Sequence, residues 1–133
     1  MNDNLKELLS PAKRYLLDDK TRAYAYLATL MSDGSPQLTP IWFNVEDGQL
    51  MINTARGRVK DRNMQADPRI ALVVMDLDKP LEYIQVRGKA VEVDGANSLQ
   101  HINDLAQKYQ GTDWSTPEGQ VRVKYHVEVD SVS

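Results

Sequence analysis

The run Arg22-Ala23-Tyr24-Ala25-Tyr26-Leu27-Ala28-Thr29-Leu30-Met31 is followed by Asp33-Gly34, then by an apolar stretch from Gln37 to Val45. Glu46-Asp47-Gly48 comes next, and then Gln49 to Thr54. The three apolar stretches are of strand length, and both gaps contain Asp-Gly, the pair that suits a tight hairpin turn. Three strands joined by short turns predict an antiparallel meander. The first is rich in Tyr and Ala and apolar on both phases, which predicts a strand buried on both faces.

Outward from this meander, Arg58 to Ala66 reads as a short polar helix. Asp67-Pro68 ends it, because a residue before proline is pushed out of the helical region. Ile70 to Met75 is an uninterrupted apolar run too short for a helix, and predicts a central strand. Tyr83 to Val93 predicts a longer strand. Its apolar phase, Ile84, Val86 and Ala90, slips to Val91 and Val93 after Gly88, which suggests a bulge or a sharply bent barrel strand. Leu99, Ile102, Leu105, Ala106 and Tyr109 mark a second long helix, and Gly111 to Gln120 a loop. In the last strand Val121, Val123, Tyr125, Val127 and Val129 face one way, and Arg122, Lys124, His126 and Glu128 the other. Upstream, Leu5, Leu8, Leu9, Ala12 and Leu16 form a helical stripe. Ser10-Pro11 has the form of a cap and first turn, so a short lead-in and a helix to about Asp18 are expected. Six strands with helices inserted between them predict an α+β fold, mainly β, built on a closed or nearly closed antiparallel barrel.

Composition narrows the function. The chain has 133 residues, 41% hydrophobic and 26% charged, which suits a single domain spanning 1–133. It has no cysteine, so disulfides, thiolate zinc sites and cysteine nucleophiles are excluded. Sixteen Lys/Arg against nineteen Asp/Glu give a net charge of -3, which disfavours sequence-blind nucleic-acid binding. No apolar run is long enough to span a bilayer, and Met1-Asn2-Asp3-Asn4 lacks the basic start of a secretory leader. A cytoplasmic protein is expected.

Against this acidic background Arg56, Arg58, Lys60 and Arg62 crowd into seven residues where a strand ends, Gly57 turns the chain and a helix begins. A helix N-terminus presents unpaired N–H groups and a positive dipole end, so this context suits a phosphate. Thr54 adds a hydroxyl, and Arg58 and Lys60 add charge-assisted donors. The same composition also describes a solvated basic helix balanced by Asp61. Neither His101 nor His126 has metal-ligand spacing, and both read as surface residues, so no metal site is expected. No GxSxG elbow marks a nucleophile, and no catalytic side chain is assigned. Trp114, in a polar loop, either covers a ligand or pins the loop.

Taken in order, Thr39-Pro40-Ile41-Trp42, Asn53-Thr54, Gly57-Arg58-Val59-Lys60, Arg62-Asn63, Asp67-Pro68-Arg69 and Val86-Arg87-Gly88 resemble the flavin-binding split β-barrel family, related to pyridoxamine 5′-phosphate oxidase. The Gly-Arg-x-Lys-x-Arg-Asn form is most similar to the branch that uses the deazaflavin coenzyme F420. The resemblance spans about Tyr24 to Val93. It implies an FMN-binding type of six-stranded split barrel with flanking helices, and a homodimer with cofactor at the subunit interface. It also implies that Thr39, Pro40, Ile41 and Trp42 lie along the ring. Asn53, Thr54, Arg58, Val59 and Lys60 would hold the phosphate, with Asn63 supporting the turn. The oxidase's C-terminal Arg-x-His motif has no counterpart, which argues against pyridoxamine phosphate as substrate.

The function implied is hydride transfer between coenzyme F420 or FMN and a small organic substrate. Chemistry carried by the cofactor ring accords with the lack of an acid/base set. The longer acidic tail of the deazaflavin favours it over FMN, with Arg56 and Arg62 along the tail's path. The alternative is a carrier of flavin, deazaflavin or haem without turnover. A nucleic-acid module built on Arg56 to Arg62 is disfavoured by the overall acidity.

Overall fold

The computed structural model describes residues 4–133. The reading of the first residues as lacking a leader therefore falls largely outside the described residues. Seven strands form one antiparallel sheet: β1 (Ala23–Leu30), β2 (Pro36–Ile41), β3 (Asn44–Glu46), β4 (Gln49–Ala55), β5 (Arg69–Asp76), β6 (Tyr83–Glu92) and β7 (Arg122–Val132), in the order β2-β1-β5-β6-β7-β4-β3. The fold is α+β, mainly β, and of split-barrel type.

The expected count of six is corrected to seven, because the stretch from Gln37 to Val45 is not one strand. Pro36–Ile41 pairs with β1, with Ile41 opposite Ala25. Asn44–Glu46 pairs with β4, with Asn44 opposite Met51. The expected meander is thus two hairpins that share a crossing at Trp42-Phe43. Flat, the two edges of a seven-stranded sheet would lie about 29 Å apart, at about 4.8 Å per strand. Three residue steps from Ile41 to Asn44 span at most about 11 Å. The sheet must therefore curl until its edges nearly meet, and Trp42-Phe43 bridges the seam.

The curled sheet encloses one cluster that includes Leu27, Phe43, Leu50, Ile52, Leu72, Val74, Ile84, Val86, Val123 and Tyr125. In β1 burial alternates: Ala23, Ala25, Leu27 and Thr29 are buried, whereas Tyr24, Tyr26, Ala28 and Leu30 are half-exposed. This corrects the expectation of burial on both faces. The apolar outer phase is only partly covered among the described residues, Tyr24 by the edge-on ring of Tyr109.

The bulge at Gly88 exists, but the extra residue sits in the partner strand. Gly88 pairs with Val129 and Arg87 with Ser131, so Asp130 is the unpaired residue. Burial in β6 keeps its phase through Ala90, and Val91 is exposed. A Cβ on Gly88 would collide with the Glu128 carbonyl oxygen, so glycine is needed for the two backbones to approach.

Three α-helices decorate the barrel: α1 (Leu5–Leu8), α2 (Val59–Ala66) and α3 (Ser98–Gln110). The expected helix to Asp18 is a 3-10 helix over Pro11–Leu17, with Pro11 in its first turn and no side-chain bond from Ser10. α2 begins after Arg58 and ends at extended Asp67, as Pro68 requires. α3 is capped by Asn97, whose side chain accepts from the Gln100 N–H, and closed by left-handed Gly111 at φ 70°. It lies on β4 and β7 and covers part of the face of β7 that sequence alternation assigns to solvent. Among the described residues no helix is long and apolar enough to cross a membrane.

Candidate functional site

The end of β2, the end of β4, the entry to α2 and the start of β7 converge on a cleft of about 400 Å³. Pro40, Ile41 and Trp42 come from the seam, Asn53 and Thr54 from β4, Arg58 and Lys60 from the basic turn. Ile102 and Leu105 of α3 supply an apolar wall, and Trp114 and Arg122 complete the rim. Seven of the ten residues expected at a site therefore line one cleft.

Thr39, Val59 and Asn63 do not. Val59 and Asn63 border a separate depression of about 970 Å³ on the other side of α2, together with Arg62 and the turn after β1. That larger hollow lacks the aromatic and basic convergence of the first. Asn63 is buried, and its amide donates to Thr29 Oγ1 at 3.0 Å and to the Met31 sulfur, so it ties α2 to β1 behind the turn. Thr39 Oγ1 is buried without a partner but lies outside the cleft.

The charge distribution separates the four cations of the basic run. Arg56 turns away, donating to Asp61 at 3.1 Å and Glu92 at 2.8 Å. Arg62 points to the outer side of α2. Neither lines the cleft. Arg58, Lys60 and Arg122 have no carboxylate partner among the described residues, and they repel one another. Burial, then the charges of Arg58 and Arg122, hold the Lys60 ammonium below its usual pKa. Burial and Arg58 bring Arg122 down to about 10. Arg58 is exposed, but Lys60 is half-buried and Arg122 buried. Like charges held there without a counter-ion are costly, a cost that an anion in the cleft would relieve.

Gly57 gives the turn its shape. Its φ of 91° is left-handed, and its N–H donates to Asp61 Oδ2 at 2.9 Å. Tyr125 braces the same carboxylate from β7, donating through its hydroxyl to Asp61 Oδ1. Asp61 is thus engaged by the backbone, Tyr125 and Arg56, and leaves the cleft's cations uncompensated.

Arg122 is the cleft residue that sequence alternation missed, because it reads as one of a row of solvent-facing charges. It is only 9% exposed. Its Nε donates to Asn53 Oδ1 at 2.8 Å, an Nη donates to Gln120 Oε1, and its guanidinium lies 5.1 Å from the Trp114 ring. His101, expected at the surface, is 1% exposed. Its Nε2–H donates to Asn44 Oδ1 at 2.8 Å and its Nδ1 accepts from Asn53 Nδ2 at 3.1 Å, the tautomer that satisfies both amides. Burial, reinforced by the Lys124 charge, pushes its pKa down to about 4. His126 is half-buried, again unlike the expectation, and its Nδ1 has no partner.

The aromatic residues form a stack at the cleft. Trp42 lies parallel to Tyr109 with centroids 5.3 Å apart, and Trp114 meets Trp42 edge-on at 6.3 Å. Tyr109 donates to the Ala23 carbonyl, and Lys108 to the Phe43 carbonyl, so the C-terminal end of α3 clamps the seam. The loop carrying Trp114 is docked on α3 through its N–H to Asn103 Oδ1.

Two buried donors, Thr54 Oγ1 and Trp114 Nε1, lack partners and belong to this cleft. Orphaned donors, three uncompensated cations, an apolar wall and indole rings at the rim fit a ligand with an anionic head and a planar body. No carboxylate or histidine lines the cleft, and no group of potential metal ligands occurs among the described residues.

A family model described as pyridoxamine 5′-phosphate oxidase matches residues 12–132. Among solved structures, this chain is similar to one named F420 reductase, at 28% identity and a TM-score of 0.81, over 94% of this chain and 98% of the other. It is similar to a conserved hypothetical protein from Mycobacterium tuberculosis at 24% identity and a TM-score of 0.72, over 93% and 82% of the two chains. A putative pyridoxamine 5′-phosphate oxidase from Listeria innocua matches at 15% identity and a TM-score of 0.63, over 83% and 86%. At these identities the last two speak to fold alone.

Proposed function

The chain belongs to the pyridoxamine 5′-phosphate oxidase family, and from that premise we propose that it is an oxidoreductase moving hydride between bound coenzyme F420 or FMN and a small organic substrate. The observation that carries this reading is the convergence of Arg58, Lys60 and Arg122, without carboxylate partners, beside the orphaned Thr54 hydroxyl. Arg58, Lys60 and Arg122 hold the phosphate, with the Thr54 hydroxyl and the start of α2 at Lys60 as further donors. Pro40 to Trp42 border the ring, Asn53 orients Arg122, and Asn63 secures α2 from behind.

The bound flavin or deazaflavin supplies the hydride chemistry on its own ring. This chain's residues bind, orient and exclude water. The similarity to a protein named F420 reductase supports the deazaflavin over FMN. Because the cleft is open to solvent and β1 leaves Tyr24, Tyr26 and Ala28 half-exposed, a second copy of the chain covers the ring in a homodimer.

The test is parallel titration of purified protein with F420, FMN and riboflavin, followed by turnover assays on a substrate panel. Tight binding of a phosphate-bearing cofactor and weak binding of riboflavin are expected. Equal affinity for FMN and riboflavin, with none for F420, would overturn the reading. A second reading, a carrier that does not turn over, draws on the lack of any carboxylate or histidine lining the cleft. Tight binding with no substrate reduced or oxidised would favour it.

A further inference from the structure

Outside the cleft's own lining, the least expected buried group is His101, which stands one layer behind the cleft at the centre of a polar chain. That chain runs Asn44 Oδ1, His101 Nε2–H, His101 Nδ1, Asn53 Nδ2, Asn53 Oδ1, Arg122 Nε. Every link is directional. The imidazole donates to Asn44, so its other nitrogen must accept. An acceptor beside Asn53 requires the NH2 side of that amide, and the Ser98 carbonyl, which accepts from Asn53 Nδ2 at 3.0 Å, requires the same. The carbonyl side of Asn53 is thereby turned toward Arg122, where it receives Nε–H.

We infer that His101 is a positioning residue for the anion site, acting from α3 through the Asn53 amide to aim the Arg122 guanidinium into the cleft. The inference rests on the phosphate-binding reading of that cleft. With Nε held by Asn53 and one Nη by Gln120, the remaining N–H groups of Arg122 are left to face a ligand. Were the Asn53 amide reversed, its NH2 would oppose the guanidinium, a donor against a donor, and Arg122 would have to swing away. A neutral partner suits this task. An aspartate at residue 53 would also hold Arg122, but would cancel the charge that the ligand reads. A helix one layer behind the site thus fixes a cation without neutralising it.

A double-mutant cycle tests this. His101→Phe keeps the ring's bulk and removes both nitrogens, and Arg122→Met removes the cation. The readout is the ratio of affinities for FMN, or F420, over the matching ring–ribityl compound without phosphate, with thermal melts recorded in parallel. A merely structural histidine lowers the melting temperature and leaves that ratio alone. The expected result is a loss of about tenfold in the ratio when His101→Phe is made in the wild-type background, and none when it is added to Arg122→Met. Should His101→Phe not fold, Asn44→Ala, on the short edge strand β3, unlocks the imidazole instead, and a smaller loss that again vanishes without Arg122 is expected. Equal losses in both backgrounds would overturn the inference while leaving the phosphate site standing. A wild-type protein with no preference for phosphate would overturn both.

Discussion

Lys60 and Arg58 differ from Arg56 and Arg69 in what lies opposite them, and from Arg62 in lining the cleft. Arg56 has Asp61 and Glu92, and Arg69 has Asp67, whereas Lys60 and Arg58 have no carboxylate among the described residues. A hydrogen bond to a charged group contributes about 1.5–3 kcal/mol, so Lys60→Ala and Arg58→Ala should each weaken phosphate-bearing cofactor by about tenfold to a hundredfold. Riboflavin binding should change far less, and Arg69→Ala should be mild. Fluorescence titration checks all four, and unchanged affinities for both cleft variants would return the turn to a solvated helix face. His101 predicts a pH effect of definite sign. Its pKa falls from 6.5 to about 4 on folding, so the unfolded chain takes up the proton first as pH drops. The stabilisation is complete above about pH 6.5 and is lost as pH falls toward 4, a difference of about 3 kcal/mol. Denaturant melts across this window should show a loss that His101→Gln reduces. Identical pH profiles for the two proteins would contradict the buried neutral imidazole.

Among the elements, the β6–β7 pair shows how one atom sets a register. Gly88 lets the Glu128 carbonyl pass where a side chain would stand, and the spare residue, Asp130, bulges out of β7. Gly88→Ala drives a methyl into that oxygen, so the strands must separate. A cost of about 1–3 kcal/mol is expected from such overpacking, readable as a lowered melting temperature. An unshifted melt would mean that the backbones yield freely. The glycine was visible in the sequence, and so was its association with a bulge. Which strand carried the extra residue was not, because a bulge is a property of two strands and a one-strand pattern sees only one. The same limit affected β2. Its apolar run continues through Ile41-Trp42-Phe43, and nothing local says that the pairing partner changes there from β1 to β4.

At the scale of the whole molecule, the outer phase of β1 and β5 holds Tyr24, Tyr26, Ala28, Ala71, Val73 and Met75, all half-exposed. An apolar strip on neighbouring strands beside the cleft suits an interface with a twofold-related copy. A dimer is the expected species with cofactor bound. Sedimentation that gives a monomer at micromolar concentration would remove this expectation, together with the closed site it implies.

The sequence alone determined what repeats along one chain direction. Turn pairs, strand lengths, the stop at Asp67-Pro68, the extent of α3 and the strand–glycine–helix context of Arg58 and Lys60 depend on neighbours a few residues away, and local sterics suffice to specify them. It was enough to reach the split barrel and seven of the cleft's residues. The tertiary structure decided what depends on groups far apart in sequence. Curling of the sheet brought its two edges together across Trp42-Phe43. Packing of α3 on β4 and β7 turned Arg122 and His101 from apparent surface residues into buried ones. An alternating strand records only that one phase is polar. Whether that polarity meets water or a helix from earlier in the chain is settled by where the helix lands, and burial there is what leaves the Arg122 charge inside the cleft without a carboxylate opposite it.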